Sequence, residues 1–460
     1  MSNAVQEDRE DRIARRVTAR IMPLLCAAVF VSFLDRANIG VVAESLQADL
    51  HLSAEAFGFA VGIFYLGYVF LQVPSNVALH RFGGRTWIAR IVISFGLVSI
   101  LSAFVQEAWH FYVARAILGA AEAGLIPGVL LYITYWYPRR VRSRPYSVYQ
   151  LTEPVALGVG SIVTALLLAG FNSVGTESSW RWVFVAEGLL AVAVGVAIIA
   201  ALPDRPAKAR WLSEGDRAYL AGRVELDLAE PDEEVASLGE GRKLLKALTS
   251  GSAWYLSLMF FCVIVGFWTI TYYLPQIVAD DFGSGEVASG LISAIPWTVS
   301  LGAILAVGRS TRVFGHRRAH LVGCLFAAAL GLCTAASADN GWIALLAVCV
   351  SCAGLEAAFP LFYQYQTEMF FGIMAAAVLA LVNSVGNIGG FFGPYVYGAL
   401  TDVTGDGRAG LLLMGSLLVI AAGMALFIER LPAFRSTSAT GRAEPVVREK
   451  LPPARGSCRS

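Results

Sequence analysis

The sequence predicts an all-α membrane protein built from twelve transmembrane helices, and three observations predict it. Of 460 residues, 57% are hydrophobic and only 15% are charged, and the mean hydropathy is +0.63. Soluble proteins are roughly half apolar and about a quarter charged, so the shortage of charge is the stronger departure. A helix needs about 20 apolar residues to cross about 30 Å of hydrocarbon, and the chain divides into twelve such runs. The spans read as 21–43, 56–79, 87–106, 110–136, 146–169 and 181–202, then 252–275, 287–307, 319–337, 341–363, 374–400 and 409–429. Helices are required because lipid offers no water to buried backbone groups.

The balance of 35 basic and 34 acidic residues gives a net charge of +1, so nothing global attracts nucleic acid. Position is more informative than total. Arg9, Arg12, Arg15, Arg16 and Arg20 precede the first span; Arg81, Arg85 and Arg90 follow the second; Arg139, Arg140, Arg142 and Arg144 follow the fourth; Arg309, Arg312, Arg317 and Arg318 follow the eighth. The alternate connections carry Glu44, Asp49, Glu55, Glu107, Asp280, Asp281, Glu286 and Asp339. The positive-inside rule then predicts that both termini and the middle loop are cytoplasmic. The connection at 364–373 has no basic residue and carries no orientation signal. The expected organisation is a basic tail (1–20), a six-helix bundle (21–202), a central loop (203–250), a second six-helix bundle (251–430) and a disordered tail (431–460). The first apolar segment follows a long charged stretch and contains Asp35 and Arg36, so it reads as a retained span rather than a cleaved signal.

The two halves repeat. Phe82-Gly83 and Arg85 recur as Phe314-Gly315 and Arg317, Ala123-Gly124-Leu125 recurs as Ala353-Gly354-Leu355, and Gly160 is matched by Gly390. Six spans is an even number, so the repeat is parallel, and such halves enclose a central site at the membrane midplane. The glycines of HRFGGR suit a tight turn, and its arginines can set topology as well as bond helix ends.

A charge at the bilayer centre costs about 2.5–3.5 kcal/mol on insertion scales, so charged residues inside spans need a reason. Asp35 and Arg36 lie in the first span, and Arg115 and Glu122 in the fourth. Neighbours on a helix point about 100° apart, so one of Asp35 and Arg36 can face the cavity while the other meets a helix. Asn38 falls on the Asp35 side. Arg115 and Glu122, seven apart, share a stripe, and Gly119 between them admits a helix or a ligand. A guanidinium holds a carboxylate bidentately, and a carboxylate in a poorly solvated site exchanges protons readily. This is the chemistry of proton–anion symport; the competing reading is a set of ion pairs that lock helices, and for Arg115 that reading weighs as much. Further polar stripes are Tyr65, Tyr68 and Gln72 in the second span, Gln150 and Glu153 in the fifth, Trp268, Tyr272 and Gln276 in the seventh, Glu356, Pro360 and Tyr363 in the tenth, and Asn383 and Asn387 in the eleventh. Most aromatic stripes are packing; the two asparagines rank higher as ligands because an unpaired amide is costly in lipid. Glu153 and Glu356 read as partners of neighbouring helices in preference to further proton sites. Cys349 and Cys352 lie one turn apart in an apolar span and read as packing residues. No nucleotide-binding loop and no HExxH-type motif occurs, which points away from an ATP-driven pump and from an enzyme and leaves secondary transport.

DRANIG, YVFLQVPSN, HRFGGRTWIAR, ARAILGAAEAGLIPG, LPDRPAKARWL, YYLPQIV and NSVGNIGGFFGPY, spread over residues 20–430, carry a family resemblance. The chain resembles the major facilitator superfamily and, within it, the anion:cation symporters of the tartrate and phthalate type. The resemblance implies alternating access and proton-coupled uptake of a sugar acid, dicarboxylate or aromatic acid. Arg36 is implied to bind the substrate carboxylate, Asp35 and Glu122 to couple protons, Arg115 to be their charge partner, and Asn383 to contact substrate. With Tyr65, Gln150, Tyr272 and Asn387 these complete the expected site. No metal and no cofactor is expected beyond the proton gradient, and the partners expected are the anion, protons and the lipid bilayer of the cell membrane, with one chain as the working unit. An exporter exchanging protons for a drug or metabolite is the alternative. The sequence departs from the family at Asn76 and His80, where an acid is usual, at FPLFYQYQTEMF, and at Glu153; these changes put the substrate in question more than the mechanism.

Overall fold

The computed structural model describes residues 3–175, 178–229, 249–370 and 372–434. Twelve helices are long and apolar enough to cross a membrane. They are α1 (Glu7–Val41), α2 (Ala54–Leu79), α3 (Gly84–Ser102), α4 (Ala108–Thr134), α5 (Ser143–Ser173), α6 (Ser179–Ala201), α7 (Gly251–Phe282), α8 (Glu286–Phe314), α9 (Arg317–Ser337), α10 (Gly341–Met369), α11 (Ala377–Thr404) and α12 (Arg408–Phe434). Each matches one predicted span. The expected tail from residue 431 falls mostly outside the described residues, as does the acidic run from 230.

Several boundaries differ for physical reasons. The basic stretch before residue 21 is helical and continuous with α1, because Ile13, Val17 and Ile21 bury one face at helical spacing while arginines point outward. In α4 the helix stops at Glu122 and resumes at Leu125, with Gly124 at φ +87° between them. A side chain there would strike Ser75, so glycine serves both the left-handed backbone and the close approach. In α8 a short break at Ser293 separates Glu286–Ile292 from Ala294–Phe314. Part of the predicted central loop is a helix, Glu214–Ala229.

The packing repeats as the sequence does. In the first half α1 packs on α5, α2 on α4 and α3 on α6; in the second, α7 packs on α11, α8 on α10 and α9 on α12. The repeated loop glycines Gly83 and Gly315 both have positive φ, +89° and +74°, and both close a helix. The halves meet through α2 with α11 and α5 with α8, two contacts exchanged by the same pseudo-twofold axis, and through α1 with α7.

These contacts are concentrated at the end of the bundle where α1 connects to α2. There the carboxylate of Asp402 accepts hydrogen bonds from the backbone N–H of Ala54 (3.1 Å) and Glu55 (2.9 Å), capping the start of α2 from the other half. The Ser45 N–H bonds Glu286 at 2.6 Å, the Tyr273 hydroxyl donates to the Ala54 carbonyl at 3.1 Å, and the Tyr395 hydroxyl donates to Glu55 at 3.0 Å. At the opposite end the ion pairs seen among the described residues stay with their own half. Arg140 holds Glu10 and Asp11, while Arg317 holds Glu368 and Arg318 holds Glu429.

Candidate functional site

Two ion pairs cross between α1 and α4 in the interior. Glu122, fully buried at the break in α4, accepts from Ser32 Oγ and from Arg36 Nε (3.1 Å) and Nη2, all through one oxygen, Oε1. The second pair is looser: Arg115 Nη1 lies 3.7 Å from Asp35 Oδ2, beyond hydrogen-bonding distance. Both Asp35 and Arg115 are buried, and Arg115 Nε and Nη2 and Glu122 Oε2 have no hydrogen-bond partner among the described residues. Asp35 and Arg36 therefore diverge as helical geometry requires, each toward a different residue of α4. Arg115 and Glu122 share their predicted stripe, and Gly119 between them meets the backbone of Phe64, so it serves helix approach in α2.

Arg36 is the hinge of the arrangement. Its guanidinium lies 4.9 Å from the Phe64 ring centre, 5.4 Å from Tyr68 and 5.0 Å from Trp268 of the opposite half. Aromatic faces attract a desolvated guanidinium, so the ring cage holds Arg36 aimed at the junction of the halves. Beside it the Tyr65 and Tyr272 hydroxyls bond each other at 3.0 Å, one from each half, and Trp268 stacks on Tyr272. The predicted residues Asp35, Arg36, Tyr65, Arg115, Glu122 and Tyr272 are thus brought together.

Others are not. Asn387 donates to the backbone carbonyl of Asn383 at 2.8 Å, one turn back on its own helix, and neither amide bonds the charged cluster. Gln150 is half-buried on α5, and its side chain is not among the hydrogen-bonding groups of the charged cluster. Cys349 and Cys352 are free thiols, and no group of His, Cys, Asp and Glu among the described residues suits a metal ion.

One buried acid was missed by sequence reading. Glu187, on α6, accepts from Asn38 Nδ2 at 2.6 Å and from Thr164 Oγ1 at 2.7 Å, tying α6 to α1 and α5. The signal was available: Glu187 is the lone acid in SWRWVFVAEGLL, and the rule that picked out Asp35 and Glu122 applies to it equally. The start of α3 and the ends of α4 and α6 also hold the LPDRPAKARWL stretch in place. Asp204 accepts from the Arg85 N–H at 3.3 Å, Arg205 covers the Tyr135 ring at 3.7 Å, and Trp211 stacks on Trp136.

A buried, crossed set of guanidiniums and carboxylates lies where the two halves meet, and a guanidinium there has the chemistry to hold a carboxylate. Comparison with known proteins agrees with this architecture. The family model described as Major Facilitator Superfamily matches residues 25–394. A protein of Agrobacterium vitis named "Putative tartrate transporter" is 35% identical over 93% of this chain and 96% of its own length. The quinolone resistance transporter of Acinetobacter baumannii is 34% identical over 90% and 94%. Among solved structures, the partially occluded inward-open xylose transporter XylE from E. coli has a TM-score of 0.71 at 18% identity, covering 91% of this chain and 98% of its own. The fold, the twelve spans and the family match agree: the chain is a multi-pass membrane transporter rather than an enzyme, and it belongs to the Major Facilitator Superfamily, where it resembles the tartrate-transporter members.

Proposed function

We propose that the protein takes up a small organic anion, such as a sugar acid, dicarboxylate or aromatic acid, together with protons across the cell membrane. The observation that carries this reading is the Arg36–Glu122 pair: a permanently charged anion-binding group held by a carboxylate that a proton can neutralise. Protonation of Glu122 frees the guanidinium for the substrate carboxylate, and arrival of the substrate in turn favours the protonated acid. Asp35 and Arg115 form a second, weaker pair on the same two helices and give the coupling a second carboxylate. Tyr65 and Tyr272 close over the site from the two halves.

With both termini and the 203–250 segment cytoplasmic, as the distribution of arginines indicates, the α1–α2 end faces outward and the conformation is closed to the outside. The basic segment 1–20 and the tail from 431 then lie in the cytoplasm, flanking the two six-helix bundles. The driving force is the proton gradient, without a cofactor, and a single chain suffices for alternating access.

Uptake in proteoliposomes with an imposed inward proton gradient tests this directly. Labelled tartrate, sugar acids and phthalate are the first panel. Accumulation that collapses with a protonophore is expected. The likeness to a quinolone resistance transporter favours one alternative, proton-driven export, since the same carboxylates serve either direction. Quinolone-dependent proton release from loaded vesicles, with no anion accumulation, would replace uptake by export.

A further inference from the structure

Beyond the crossed ion pairs the interior holds two more carboxylates, half-buried Glu153 on α5 and buried Glu356 on α10, which come from opposite halves and lie close enough to repel each other. Neither makes an ion pair or a side-chain hydrogen bond among the described residues. Glu356 is 1% exposed, and its Oε1 is buried with no hydrogen-bond partner. The guanidinium that acts on Glu153 is Arg36, and Arg36 is already bound by Glu122. Three tyrosines complete the surroundings. Tyr68 and Tyr149 from the first half and Tyr363 from the second all interact with Glu153, and Tyr149 also with Tyr363 and Tyr68.

Buried carboxylates are normally paired, and one left unpaired in the interior asks for a proton or another cation. The described groups do not supply one. Glu122 and Asp35 are matched by Arg36 and Arg115, whereas Glu153 and Glu356 have no guanidinium of their own, so a substrate group reaching them is better positive than negative. Tyrosine faces and hydroxyls beside two carboxylates make the usual surroundings of an ammonium group. The sequence reading of Glu153 and Glu356 as partners of neighbouring helices finds no such partner among the described residues.

We propose that Glu153, Glu356 and the tyrosines around them form a cation subsite, so that the transported acid is a zwitterion whose carboxylate binds Arg36 and whose protonated amine binds between the two halves. The inference rests on the anion-binding reading of Arg36 and narrows its substrate class. It also gives the substrate a part in the cycle, because a cation held by Glu153 and Glu356 together draws α5 and α10 toward each other.

Matched ligand pairs test it: 4-(aminomethyl)benzoate against 4-methylbenzoate, and 4-aminobutyrate against butyrate. Binding is measured on the full-length protein in nanodiscs by calorimetry and by quenching of tryptophan fluorescence, Trp268 being 5.0 Å from Arg36. In the native protein the amine-bearing member of at least one pair should bind about ten- to a hundredfold tighter, the range for a hydrogen bond to a charged group. Glu153→Gln and Glu356→Gln should each bring that ratio close to one, with melting temperatures showing that both variants are folded. Acids that bind through Arg36 with no preference for the amine, or a preference that survives both substitutions, overturn the cation subsite alone; a carboxylate pair that only takes up protons gives this result. If no acid of either kind binds, and Arg36→Ala behaves as the native protein does, the anion reading falls with it.

Discussion

Replacing Glu122 by glutamine keeps an oxygen that can accept from Ser32 and Arg36 but removes the carboxyl group. On the symport reading, Glu122→Gln should still exchange labelled for unlabelled anion across the vesicle membrane while no longer accumulating it on an imposed pH gradient. Normal gradient-driven accumulation in this variant would sink the assignment. Arg36→Ala should abolish both activities, and it strands Glu122 as a buried unpaired charge, a change that typically costs about 3–5 kcal/mol. The double variant Arg36→Ala/Glu122→Gln relieves that cost, so recovery of its melting temperature without recovery of transport separates folding from function. Glu187 makes a different prediction. Its two oxygens are both satisfied, by Asn38 and Thr164, so Glu187→Ala leaves two buried polar groups unpaired and should lose on the order of 2 kcal/mol, whereas Glu187→Gln should lose much less. Equal melting temperatures for the two variants would show that the triad does not hold α6 to α1. At this scale much of the charged centre was legible, because a charge in an apolar span is conspicuous in any sequence. Its wiring was not. Periodicity says that Asp35 and Arg36 diverge, but not that each meets a residue of α4, since that depends on which helices are neighbours in space.

Between α2 and α11 the helices approach so closely that glycine is required on both. A side chain at Gly58 would meet the Pro394 carbonyl, and one at Gly398 the Ala54 carbonyl. Asp402 then caps α2 from across the interface. Gly398→Val should therefore wedge the two helices apart, and Asp402→Ala should remove two charge-assisted hydrogen bonds that exist only when this end is closed. Both variants should populate a form open at the α1–α2 end. Spin labels on Ser53 and Thr404, in a background without other reactive cysteines, should report longer distances in either variant than in the native protein. Unchanged distances would mean that these contacts follow closure without contributing to it. Helix existence was plain from the sequence and helix interruption was not. GAAEAGLIPG contains the Gly124 that breaks α4 directly after Glu122, yet the same Ala-Gly-Leu repeats at Ala353-Gly354-Leu355 inside an unbroken α10. There Gly354 packs against the backbone of Cys324 and Ala328 in α9. Identical triplets serve a break in one half and helix contact in the other, so tertiary surroundings decide between them.

For the molecule as a whole, the repeat read from a few matched residues becomes a packing rule, in which each helix pair of the first half recurs six helices later. That symmetry explains why the contacts between halves come as α2 with α11 and α5 with α8, and it permits the halves to rock about a central site without unfolding either one. Rocking has a requirement that can be tested. The hydrogen bonds seen between the halves are the Tyr65–Tyr272 pair at the centre and those at the α1–α2 end, so this end must separate in every transport cycle. The Tyr395 hydroxyl and the Glu55 carboxylate touch across it at 3.0 Å. A Glu55→Cys/Tyr395→Cys variant treated with a short bifunctional thiosulfonate should be joined there, and the joined protein should neither take up nor exchange substrate. Reduction should restore transport to the level before treatment, and either cysteine alone should be insensitive to the reagent. Substrate binding from the opposite end should persist in the joined protein, because the path to Arg36 from that side does not cross the link. Continued transport with the link complete would show that the halves do not part at this end. The cycle would then have to run through local gate movements within a half, a mechanism that the six-helix symmetry gives no reason to expect.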